Sequence, residues 1–202
     1  MNDFERVFYH ELGHFTAREL NAKYYKGAPT KSFEIFLHDS QLGLYCGELK
    51  VDKSNHPDEG EAPKSDNLAT YLASSSYGCF FQSLHLDQSL NDCFNRNGQD
   101  DYVKWMSSLT ANKLSHLKAE FVDIEKKYFE SLKCDPSITE ILKINQREFL
   151  SKPSPEAQNF YADIKTLRET LEPLIDQHYT SYQKLIKQYQ QLIDAELRKA
   201  SD

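Results

Sequence analysis

His10-Glu11-Leu12-Gly13-His14 is the stretch of this 202-residue chain whose residue types and spacing most directly suggest chemistry. Positions i and i+4 of an α-helix lie one turn apart on one face, so His10 and His14 can offer two imidazole nitrogens to one tetrahedral zinc. Glu11 falls on the flank of that face, where a carboxylate reaches a water on the metal without ligating the metal itself. Zinc lowers the pKa of such a water to about 7, and the carboxylate takes its proton as the water attacks a polarised carbonyl. Because the chain holds 7 histidines, a purely structural histidine pair is the plain alternative. The flanks favour the chemical reading. Phe4, Val7, Phe8, Phe15 and Leu20 form an apolar stripe at helical spacing, which places the pentapeptide on an amphipathic helix. Gly13 is a poor helix residue, about 1 kcal/mol worse than alanine, and makes sense if another backbone or side chain packs close to that turn.

The elements that must position this motif can be read in outline. The motif helix runs from about Asp3 to Leu20 and is stopped by Gly27 and Pro29. Ser32–Asp39 and Leu42–Val51 alternate apolar and polar residues around a short polar turn, the pattern of a β-hairpin. Residues 52–67 are rich in Pro, Gly and charge and read as an exposed loop. Helical pattern returns from Leu68 to Leu86, with small residues Ala73, Ser74, Ser75, Ser76 and Gly78 that let a neighbouring helix approach closely. Asp87–Gly98 reads as a polar connection, followed by a helix from Asp100 or Asp101 to about Leu132. From Phe160 to Leu192 apolar residues step by threes and fours, interrupted by Pro173, where a kink or break is expected. The fold expected is mainly α with a small β-hairpin, a zincin-like core over 1–135 and a C-terminal helical hairpin or arm over 136–202 packed on it. His178, on the arm's stripe, reads as a packed residue.

Composition narrows the class. A net charge of −7 and a pI near 5.5 give no electrostatic footprint for nucleic acid. No apolar run approaches the length of a membrane span, and a mean hydropathy of −0.69 suits long exposed helices. The opening Met-Asn-Asp-Phe-Glu lacks the basic and apolar regions of a signal peptide, so a cytoplasmic protein is expected. Cys46, Cys79, Cys93 and Cys134 show no C-x-x-C pairing and read as reduced, partly buried thiols.

A catalytic zinc needs a third protein ligand and an open position. His38, His85, Asp87, Asp92, Asp100, Asp101 and Glu120 are the downstream candidates. The segment Asn97-Gly98-Gln99-Asp100-Asp101-Tyr102 stands out, because a glycine turn followed by acidic residues opens a helix whose dipole favours carboxylates.

Tyr9-His10-Glu11-Leu12-Gly13-His14 resembles the H-E-A-G-H motif of FtsH-like zinc metalloproteases, the peptidase part of membrane-anchored AAA proteases. The order of elements is similar over roughly residues 5–110, and the resemblance is specific at the pentapeptide. It implies an aspartate ligand in a Gly-x-x-Asn-Asp-Leu-like segment; matching Asp101-Tyr102 to that Asp-Leu favours Asp101, with Asp100 second. Where the family has an Ala-Gly-Arg-x-Ala-Glu helix, this chain has Ala73-Ser-Ser-Ser-Tyr-Gly78, without the arginine or the glutamate. No ATPase module and no membrane anchor are expected from these residues, so the resemblance does not imply substrate threading.

The first expectation is therefore a stand-alone zinc metalloendopeptidase, with His10, His14 and Asp101 on zinc, Glu11 as general base, and a peptide or unfolded protein as substrate. An extended peptide would add to the edge of the Leu42–Val51 strand. Tyr45, Tyr77 and His85 are candidates for stabilising the oxyanion. The alternative is a metal-binding but non-proteolytic module acting through its helical arm. A structural helical protein with a coincidental motif is the third reading. Neither nucleic acid nor membrane is an expected partner, and the C-terminal helices offer a face for a homodimer.

Overall fold

In a computed structural model, which describes residues 3–52, 54, 65–96, 98–154 and 156–199, the chain is mainly helical with a small antiparallel sheet. The motif helix α1 spans Asp3–Tyr24, with Asp3 and Glu5 in its first turn and Lys23 in its last, as the helix dipole favours. It leads into a hairpin of β1 (Thr30–Asp39) and β2 (Leu44–Val51), turned through Gly43 at φ 65°. Phe33 and Ile35, two residues apart and both buried, share the face of β1 that meets α1, where Phe8 stacks on Phe33 at 5.8 Å.

Helix α2 (Ser65–Leu86) crosses α1 and is followed by α3 (Leu90–Asn95), α4 (Gln99–Ala111), a 3-10 turn (Ser115–Leu117) and α5 (Lys118–Leu132). Two readings change here. The connection expected over 87–98 contains the short helix α3, started by Ser89, whose side chain accepts from the Asp92 N–H and donates to the Asp92 carboxylate. The single helix expected from Asp100 to Leu132 is two helices. Lys113 takes a left-handed φ of 59° between them, and the chain is re-aimed there although apolar spacing continues on both sides.

The C-terminal third departs further from the expected arm. After α6 (Pro136–Ile141) and α7 (Gln146–Phe149), β3 (Leu150–Ser151) and β4 (Asn159–Ala162) return to the hairpin and complete a four-stranded sheet in the order β2-β1-β4-β3. Phe160, read as the start of the helical stripe, pairs instead with Ile35 of β1. The expected boundary near residue 135 is thus crossed by the sheet itself.

Helix α8 then runs unbroken from Ile164 to Lys199 through Pro173, so no hairpin folds back at the proline. Pro173 removes the N–H that would reach the Glu169 carbonyl, but both residues are on the exposed face, where water can serve that oxygen. The opposite face buries Leu167, Leu171, Ile175, Tyr182, Leu185, Tyr189 and Ile193 within the chain. Each such side chain is worth about 1.5–3 kcal/mol, which makes α8 a core element. The face considered for a dimer is accordingly occupied.

Polar ties fix α8 further. Arg168 donates to both oxygens of Glu19 on α1 at 2.7 and 3.2 Å and to the Thr30 carbonyl at 2.8 Å. His178, fully buried, lies 2.8 Å from Asp135, the N-cap of α6, and 2.7 Å from the Tyr77 hydroxyl of α2. The exposed loop read over 52–67 falls largely outside the described residues.

One buried carboxyl makes the core sensitive to pH. Glu125 of α5 accepts from Ser76 of α2 and from Tyr189 of α8 at 2.8 Å. Burial pushes its carboxyl up to about 7, partly offset by those two hydrogen bonds. A folded value above the unfolded one means that the native state holds a proton the unfolded chain releases. The resulting stability is fully present below about pH 4.5 and is lost as pH rises through 7. Urea unfolding of wild type and Glu125→Gln from pH 5 to 8 should show wild type losing up to about 3 kcal/mol relative to the variant. A constant difference across that range would contradict this account.

Candidate metal centre

Helices α1 and α2 approach more closely than ordinary side chains permit. A Cβ on Gly13 would lie 2.2 Å from the Tyr77 carbonyl oxygen of α2. In return, a Cβ on Gly78 would lie 2.4 Å from Nε2 of His14 and 2.7 Å from Nε2 of His10. Two glycines, one on each helix, thus admit the other helix's backbone and the two imidazoles. The small-residue run read in α2 serves this approach.

The two rings converge. His10 Nε2 and His14 Nε2 are 3.2 Å apart, and Asp101 Oδ2, from the first turn of α4, lies 2.8 and 3.1 Å from them. A tetrahedral zinc with bonds of about 2.0–2.1 Å separates its ligand atoms by about 3.3 Å. The three donor atoms therefore already sit near the corners of one face of such a tetrahedron, and the residues present fit the ion. The set is buried or nearly so.

Each imidazole is oriented from behind by α2. His10 Nδ1 faces Gln82 Oε1 at 3.1 Å, and His14 Nδ1 faces the Ser74 carbonyl at 2.7 Å. An acceptor at Nδ1 keeps the proton there and turns the Nε2 lone pair towards the shared point. Both acceptors, a backbone oxygen and a glutamine side chain, thus come from the same helix.

The charges of His10 and Asp101 bear on one another. Burial presses the Asp101 carboxyl upward, but the two neighbouring rings outweigh it and hold it well below the usual carboxylate range. Burial likewise disfavours charge on His10, yet Asp101 and the nearby Cys93 thiol raise it to about 10.

Glu11 is buried on the flank of the pair, beneath β2. A Cβ on Gly47 would lie 2.2 Å from its Cγ and 2.6 Å from Oε1, so the glycine makes room for the carboxylate. Gly47 belongs to the edge strand, since β2 pairs only with β1 among the described residues.

The other candidates are not gathered here. His85 stacks on Tyr9 at 3.5 Å and faces Glu5 at 3.3 Å, while Asp92 is engaged with Ser89. Asp87, Asp100, Glu120 and His38 are exposed. Tyr77 is fully buried against Tyr128 and His178, and Tyr45 packs edge-on against Phe4. Of the residues that shape the centre, Gly47 and Gln82 were not picked out from sequence for these roles. Gln82, one turn after Gly78 on the same helix face, was within reach of a spacing argument. Comparison of the chain with family models, curated proteins and solved structures gave no match.

Two substitutions test the geometry. Gly78→Ala sets a methyl group where the two Nε2 atoms sit and should abolish zinc binding. Gln82→Ala frees the His10 ring and should weaken zinc about 10–100-fold. Competition against a chromophoric chelator reads both, and unchanged affinity in either variant would contradict the arrangement described.

Proposed function

We propose that the protein is a zinc-dependent metalloendopeptidase in which His10, His14 and Asp101 hold the ion and Glu11 is the general base. The observation that carries this reading is the convergence of three donor atoms, two of them pre-oriented by α2, beside a buried carboxylate under an edge strand. Zinc bound there supplies an acidified water and polarisation of a substrate carbonyl. Glu11 takes the proton from the attacking water and delivers it to the leaving amine. The free edge of β2 suits an extended peptide, held by backbone hydrogen bonds alongside Glu11. A resemblance to FtsH-like zinc peptidases at the pentapeptide agrees with the same assignment. The alternative, a non-proteolytic module working through its helical arm, has less support because the apolar face of α8 is buried in the core. No described helix is long and apolar enough to cross a membrane.

Metal analysis and cleavage of an unfolded, casein-like protein test the reading together. One zinc per chain is expected, lost in His10→Ala, His14→Ala and Asp101→Ala. Glu11→Gln should keep zinc and fold while turnover falls by about 10²–10⁴-fold. Wild-type turnover in Glu11→Gln would overturn the role of Glu11. A zinc-loaded wild type inert towards unfolded protein would overturn the peptidase reading.

A further inference from the structure

His10 belongs to a second group of ligand-bearing side chains. Cys79 follows Gly78 on α2, Cys93 lies on α3, and both are fully buried. Their sulfurs and a ring nitrogen of His10 all lie within 4.8 Å of one another. We propose that Cys79, Cys93 and His10 form a second metal site, for a thiophilic cation, and that an ion held there withdraws His10 from the zinc set.

The distances permit it. Bonds of about 2.3 Å to sulfur and about 2.0 Å to nitrogen bring ligand atoms to about 3.5–4 Å from one another, so closure needs a contraction of at most about 1.3 Å. The surroundings suit a closed site. The turn that opens α4 passes over the sulfur pair at Gly98, where a Cβ would lie 2.2 Å from Cys79 Sγ and 3.5 Å from Cys93 Sγ. A side chain there would occupy the position of the sulfur.

Charge and softness separate the two sets. Two thiolates and a neutral imidazole cancel a divalent cation, which a buried pocket closed to water favours, and the two thiol protons leave to solvent on binding. Thiolates select soft cations, whereas two imidazoles and a carboxylate with an open position suit zinc. One imidazole serves both. An ion on Nε2 takes that atom from zinc; an ion on Nδ1 displaces Gln82, which orients the ring. In either geometry a thiophilic ion lowers zinc affinity, so the pair of cysteines makes the zinc centre sensitive to soft metals. Only this consequence rests on the zinc reading; the thiolate site stands apart from it.

Cadmium titration of the full chain, kept reduced, tests the proposal. Wild type and His14→Ala/Asp101→Ala should both develop sulfur-to-cadmium charge-transfer absorption that saturates at one ion per chain. Cys79→Ser/Cys93→Ser should lose that absorption yet keep zinc binding, and His10→Ala should lose zinc and weaken cadmium. Cadmium added to zinc-loaded wild type should release zinc to a fluorescent chelator, while the double serine variant keeps its zinc at the same concentration. Cadmium NMR on wild type, whose chemical shift reports the number of thiolate ligands, gives two thiolates without any substitution. No charge-transfer absorption in reduced wild type, or the same absorption in the double serine variant, overturns the site. Cadmium binding to two thiolates in a wild type that binds no zinc would leave this site standing and remove the zinc reading alone.

Discussion

The close crossing of α1 and α2 is the constraint on which the rest of the structure depends. Two helices normally meet through side chains that hold their axes 8–10 Å apart. Gly13 and Gly78 remove that layer at one point, so the carbonyl of Tyr77 and the rings of His10 and His14 occupy space a Cβ would fill. Everything that orients the histidines then comes from α2 at fixed offsets: the Ser74 carbonyl, the gap at Gly78, the Gln82 amide. A glycine in the middle of a helix weakens that helix by about 1 kcal/mol, so both helices need support from outside. That support is visible in α8, whose Arg168 clamps Glu19 of α1 and whose His178 and Tyr189 join Tyr77 and, through Glu125, Ser76 of α2.

Local chemistry was legible in the sequence where it depended on short spacings. The i, i+4 histidines, the β1–β2 hairpin and the acidic opening of α4 are patterns of a few residues, and the structure brings His10, His14 and Asp101 together. What was not legible required partners far along the chain. β4 has four residues, too few for a recognisable alternation, and exists because β1 offers it an edge. Pro173 reads as a break by its own chemistry, yet the burial of one whole face of α8 outweighs the loss of one hydrogen bond on the wet side. Cys79 and Cys93 are too far apart in sequence to suggest each other, and only the packing of α3 under the Gly98 turn joins them.

His10 is held from several sides. Its ring meets Gln82 behind, Asp101 and His14 in front, and the Cys79–Cys93 pair to the side, with contributions from four helices. A ring so enclosed has little freedom to rotate. Ligand geometry at this position is therefore a property of the whole helical assembly, and a shift in α3 or α4 is felt at the imidazole.

The sheet order has a consequence for how the protein behaves in a crowd. Because β4 pairs on the far side of β1, β2 lies at the border of the sheet, where alternate residues turn backbone groups outward and the Tyr45 N–H donates to Asp3 of α1, beside a turn that exposes Leu42 and Leu44. An open strand invites another copy as readily as a peptide, and natural proteins guard such borders with charge. Here Glu48 and Lys50 stand exposed along the strand and pair with each other at 3.1 Å. They give the border a hydrated, charged rim that a second molecule would have to strip of water before the two strands could zip together.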